Sequence, residues 1–129
     1  MRNTKKTLRI PISIGELFDK ISILEIKQQK IQDKQKLKNI QKEYKLLTDI
    51  AIDFSINLKN SNYIKLKKVN EILWEVEEYK RKFEILKKFD DEFIHLARQV
   101  YLQNDKRAKI KKAINIKYGS EIIEEKSYK

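Results

Sequence analysis

Four polar or amphipathic side chains, Asn70, Trp74, Glu77 and Arg81, recur at spacings of four, three and four residues, which places them on one face of a helix. Upstream, in "ISILEIKQQK", Glu25 stands among isoleucines and leucines. At the angular step of an α-helix it falls in the arc carrying Ile14, Phe18 and Ile21, with Gln28 on the same side. Downstream, Asn104, Arg107 and Lys111 continue a face begun by Phe93, Ala97 and Val100 and resumed by Ile114 and Tyr118.

Together these positions hold acids (Glu25, Glu77), bases (Arg81, Arg107, Lys111) and amides (Gln28, Asn70, Asn104). A surplus of base over acid between facing helices suits a phosphate, carboxylate or nucleotide ligand, with Trp74 as a wall or stacking surface. In an enzyme, Glu25 or Glu77 is the expected general acid or base, because burial moves a carboxyl group toward the working range of proton transfer. The structural alternative is a closed network in which Glu25 and Glu77 bridge Arg107, Lys111 or Arg81 and set helix register.

Other chemistries are poorly served. The chain has no cysteine, which excludes thiolate metal sites, and one histidine, His95, which falls opposite the apolar stripe, so neither a histidine metal site nor a Ser/His/Asp triad is expected. Glu75, Glu77 and Glu78, and the run Asp90, Asp91 and Glu92, could offer oxygens to magnesium. However, Glu75 and Glu78 point to solvent in helical phase, and the second run is explained by capping; neither a metal nor a cofactor is expected.

The net charge of +11 invites a nucleic-acid reading. Of the 30 basic residues, 25 are lysines spread along the whole chain, and lysine lacks the planar fork that recognises phosphates and bases. The charge is therefore read as a solvated basic surface in preference to a nucleic-acid interface. No apolar run is long enough to span a bilayer, and no secretory signal opens the chain, so a cytoplasmic protein is expected.

The elements that must position these residues are helices. Two glycines, one proline and an abundance of Lys, Ile, Leu and Glu leave little else. Residues 1–9 read as a flexible basic arm and residues 10–129 as one helical domain. Pro11 keeps "LRIPI" extended. Ser13 and Glu16 form an S-x-x-E capping box, with Ile12 and Leu17 as its staple, and the first helix runs to about Ile31. Asp33 caps a second helix through Phe54, with an apolar face that includes Tyr44. A third runs from about Asn62 to Ile85. A fourth begins at Asp90 or Asp91 and stops at Tyr118, before Gly119. The fold expected is an all-α, antiparallel four-helix bundle with an extended N-terminal arm and a short C-terminal tail, the tail packing back through Ile122 and Ile123. Tyr44 and Tyr101 are expected in the core.

The segments "PISIGELFDKISILEIK", "VNEILWEVEE", "FIHLARQVYLQNDKRAKIKKAIN" and "GSEIIEEKSY" resemble a bacterial family, domain of unknown function 6165, over Ile10 to Tyr128. The family's pattern includes residues matching Glu25, Asn70, Trp74, Glu77, Arg81, Asn104, Arg107 and the closing "EEKSY". The chain departs from it around "EEYKRKFEI", where Tyr79 and Lys80 alter the charge balance near Arg81. No activity comes with the resemblance. It implies a small helical protein and an association with glycosyltransferases of surface polysaccharide synthesis. Two functions follow: a site for a small anionic ligand, such as a nucleotide sugar or phosphorylated metabolite, or a non-catalytic module docking on a glycosyltransferase or on a second copy of itself.

Overall fold

Each of the four helices begins at a side chain that caps it. In the computed structural model, which describes residues 5–127, the side-chain oxygens of Ser13, Asp33, Asn60 and Asp90 accept the backbone N–H of Glu16, Lys36, Tyr63 and Phe93. The helices are α1 (Ile14–Lys30), α2 (Lys34–Asp53), α3 (Ser61–Leu86) and α4 (Asp91–Lys117). Three of them close through a residue in the left-handed region: Ser55 after α2, Lys87 after α3 and Gly119 after α4. The expected boundaries therefore hold to within a residue or so. Residues 5–9 of the basic arm are exposed and form no helix or strand. The arm's first four residues, and the Tyr128 end of "EEKSY", lie outside the described residues.

The helices form an antiparallel four-helix bundle in which α1 is the hub. It packs against each of the other three, and α3 pairs with α4 as a long hairpin. Among the described residues α2 approaches no helix but α1. With neighbours on three sides, α1 is buried nearly all round: Leu17, Phe18, Ile21, Leu24 and Ile26 are in the core, and so are Asp19 and Ser22. One apolar cluster joins Leu17, Phe18 and Ile21 to Ala51 of α2, Tyr63 and Leu66 of α3, and Ile114 of α4, with Tyr44 and Leu47 packed against it. Phe18 meets Tyr63 edge to face, ring centroids 5.9 Å apart.

Two expectations about the outer half of α4 are corrected. Tyr101 is 52% exposed and Ala97 is exposed, because only α3 runs alongside that part of the helix. His95 is exposed, as its position opposite the apolar stripe requires.

The start of α1 is fastened to the end of α4. Ile14 N–H donates to Ser120 Oγ at 3.1 Å and Gly15 N–H to Asn115 Oδ1 at 2.6 Å, so the first three N–H groups of α1 are all satisfied by side chains. The positive end of one helix dipole thus meets the negative end of the other. Of the expected capping box only the serine half forms, because Glu16 turns instead to Lys111. The tail, expected to return through Ile122 and Ile123, leaves both of them exposed. Polar contacts hold it instead: Ser13 Oγ donates to Glu124 at 3.1 Å, Lys112 to Glu125 at 2.8 Å, and Lys126 to Asp105 at 3.2 Å.

Gly15 is required at this junction. A Cβ there would sit 2.6 Å from the backbone carbonyl oxygen of Lys111 and 3.0 Å from Asn115 Oδ1, closer than side chains pack. Gly15→Ala must push α1 away from α4, and it is expected to lower unfolding free energy by about 1–3 kcal/mol in urea denaturation.

Candidate functional site

The polar centre is organised by Asp19. Its carboxylate is 1% exposed and accepts Arg107 Nε–H at 2.9 Å, a second bond from Arg107 Nη2, and Asn70 Nδ2 at 2.9 Å. Asn70 also donates to Ser22 Oγ at 2.7 Å, and Ser22 Oγ donates to the Asp19 carbonyl at 2.8 Å. Arg107 Nη1 reaches Asn104 Oδ1 at 3.3 Å. Lys111 closes the outer side, 2.6 Å from Glu16, 3.8 Å from Asp19 and 3.7 Å from Glu124. The forked Arg–carboxylate geometry is what stabilises a buried charge. Hydrogen bonding to Asp19 raises Arg107 above its ordinary value, against the opposing effect of burial.

A polar network joining α1, α3 and α4 is therefore present, containing Asn70, Asn104, Arg107 and Lys111 as expected. Its acids are others. Glu25 was expected to meet Arg81, Arg107 or Lys111; instead it accepts the hydroxyl of Tyr63, with Tyr44 alongside. Glu77 pairs with Lys80 at 3.5 Å on the surface. Asp19 and Glu16 take the places expected for them. The signal for Asp19 is in the sequence: Gly15, Asp19, Ser22 and Ile26 recur at four, three and four, a second stripe on α1. Reading α1 as a helix with one buried face hides that stripe.

Of the remaining residues, Glu25 lines one groove and Trp74, Glu77 and Arg81 line another, while Gln28 lines neither. A groove of about 350 Å³ between α1 and α3 is lined by Asn70, Trp74, Glu77, Glu78 and Arg81, with Arg107 at its edge. The indole N–H of Trp74 and the side-chain N–H of Gln28 are buried without a protein acceptor among the described residues, as is the carbonyl oxygen of Gln103 without a donor. A larger groove of about 650 Å³ opens between α2 and α3, whose backbones do not approach each other closely among the described residues. Glu25, Tyr44 and Tyr63 line it together with Leu58, Ile64 and Glu71, and Lys59, Lys67 and Lys68 stand around it. Those lysines were invisible as a group, because Lys59 lies in a loop and the other two are neighbours on a helix rather than members of a stripe.

No three Asp, Glu or His side chains gather to hold a metal among the described residues, and no helix there is long and apolar enough to cross a membrane. Asp90 is spent on its cap, and the N–H of Phe93, aided by Lys88, holds its carboxyl below the usual range.

Fold and centre together define an all-helical bundle built around a buried aspartate paired with a partly exposed arginine. Residues 8–129 match the family model described as Family of unknown function (DUF6165), and the chain belongs to that family. No curated protein and no solved structure matches it.

Two outcomes follow. Asp19→Ala leaves the Arg107 charge without its partner and is expected to cost about 3–5 kcal/mol in urea denaturation, whereas Asp19→Leu with Arg107→Met recovers much of that loss. Second, burial, then the charge and hydrogen bonding of Glu25, raise the Tyr44 hydroxyl above its ordinary 10.0. The folded state then holds that proton more tightly than the unfolded chain. The stabilisation is complete below pH 10 and is lost as pH rises through the raised value. In a tyrosinate absorbance titration the Tyr44 phenol should ionise late, and Tyr44→Phe should remove its contribution to the late phase.

Proposed function

We propose that the groove between α2 and α3 is a binding site for a small anionic, hydroxyl-bearing ligand, of the class of nucleotide sugars and phosphorylated metabolites. The observation that carries this is the pairing of a phenol-held carboxylate with unpaired cations. Glu25 lies on α1 beside the hydroxyls of Tyr63 and Tyr44, while Lys59, Lys67 and Lys68 have no carboxylate partner among the described residues. Lysine ammonium groups hold phosphate as point charges. A carboxylate accepts from ligand hydroxyls, and Tyr44, Tyr63, Leu58 and Ile64 supply apolar walls. The volume falls in the range of small-molecule sites.

The smaller groove is the poorer anion site. Arg107 is already neutralised by Asp19, and Glu77 and Glu78 offset Arg81. Asn70, Asn104, Arg107 and Lys111 therefore act in this reading as the scaffold that fixes α1, and Glu25 acts as a ligand acceptor. The association of the family resemblance with glycosyltransferases fits a phosphorylated sugar.

Thermal shift and titration calorimetry with glucose 1-phosphate and uridine diphosphate glucose test it. A ligand at about 100 times its Kd should add about 2.7 kcal/mol of stability. Lys67→Met with Lys68→Met should weaken binding at least about tenfold, about 1.4 kcal/mol, and Glu25→Gln should weaken it too, while Arg81→Met leaves it unchanged. Binding that survives the lysine changes but is lost in Arg81→Met would move the site to the smaller groove.

A further inference from the structure

The α3–α4 hairpin outruns the helix that supports it. At 1.5 Å per residue α3 and α4 are each about 40 Å long and α1 about 26 Å. Ile26, four residues before α1 ends, shares a groove with Leu73 and Trp74, so the hairpin continues past α1 through residues 82–95. That end is apolar and open: Ile85 is 79% exposed, Leu86 70%, Phe89 52% and Ile94 53%. It is also ordered. Phe93 is held edge-on by Phe89 at 5.2 Å and by Phe83 at 6.3 Å, and Lys87 in the left-handed region closes α3. A contiguous exposed apolar patch of this kind marks an interaction surface.

Charge selects the occupant. Residues 82–95 carry Lys82, Lys87 and Lys88 against Glu84, Asp90, Asp91 and Glu92, a balance of one negative charge, so the rest of the chain carries twelve positive charges in excess. Two copies carrying that excess repel each other overall, and the repulsion is small through this nearly charge-balanced tip. An acidic partner, by contrast, would gain more on the lysine-rich parts of the molecule. The tip also presents basic residues at the end of α3, where Lys87 and Lys88 make exposed pairs with Glu84 at 3.2 Å and Asp90 at 3.5 Å. At the start of α4 it presents the acids Asp91 and Glu92, without a basic partner among the described residues, so a two-fold arrangement sets Lys87 and Lys88 of one copy near Asp91 and Glu92 of the other.

We propose that the tip of the α3–α4 hairpin, centred on Leu86 and Ile94, is a homodimerisation surface on which a second copy of this chain docks symmetrically. The apolar contact supplies the affinity and the mixed charges supply the register. The two basic bodies lie at opposite ends of the dimer, where their repulsion is least.

Sedimentation equilibrium of the full chain from about 1 to about 200 µM tests this, at low salt and at about 0.5 M salt, where screening shortens charge repulsion to a few ångströms. The expected result is a dimer that tightens as salt is added and grows no larger with concentration. Leu86→Asp and Ile94→Asp, both at exposed positions, should each weaken it at least about 100-fold. Their far-ultraviolet circular dichroism and melting temperature should stay those of the parent, and Tyr101→Asp, lower on the hairpin, should leave the dimer intact. A monomer throughout that range at high salt, an open polymer, or a dimer that both aspartate variants leave unchanged would each overturn the proposal.

Discussion

A single buried carboxylate sets the geometry of this molecule. Asp19 cannot be taken out of water alone, and the donors that make its burial tolerable come from two other helices: Arg107 from α4 and Asn70 from α3. Once those bonds form, the rotation and height of α1 relative to both partners are defined. Apolar packing alone permits slippage by a turn; a forked guanidinium bond does not. Gly15 and the tail then complete the same junction, the glycine by letting the backbones approach and the tail by bringing Glu124 to Ser13 and Lys111.

Much of this was legible from local chemistry. Ser13, Asp33 and Asp90 announce helix starts because an N-cap is decided by a residue and its next three neighbours, and Gly119 announces a stop for an equally local reason. Glu25 was correctly singular, a half-buried acid in an apolar turn, yet its partners proved to be phenols. Which side chain meets which depends on how many helices surround a given one, and that number is not local. A helix with one partner shows one stripe; α1 has three partners, so its Gly15–Asp19–Ser22–Ile26 row is as buried as its isoleucines. The exposure of Tyr101 has the same origin, since hydrophobic periodicity reports a capacity for burial and not the presence of a neighbour.

The division of labour among charged groups also follows from that hub. Bases drawn into the centre, Arg107 and Lys111, are consumed by Asp19, Glu16 and Glu124 and become structural. Bases left at the edges of the open α2–α3 groove have no such partners among the described residues. A basic protein of this size thus separates its cations into those that hold helices together and those that remain available, and sequence spacing does not distinguish the two.

The connectivity of the central pair also bears on the order in which the chain is made. Asp19 and Arg107 are 88 residues apart, and the side chain that caps Gly15 lies 100 residues downstream of it. During synthesis α1 leaves the ribosome long before the residues that satisfy its buried carboxylate and its opening turn. The hub of the finished bundle is therefore a helix that waits: it can pack with α2 early, but its final placement is set only when α4 and the residues after it return to α1.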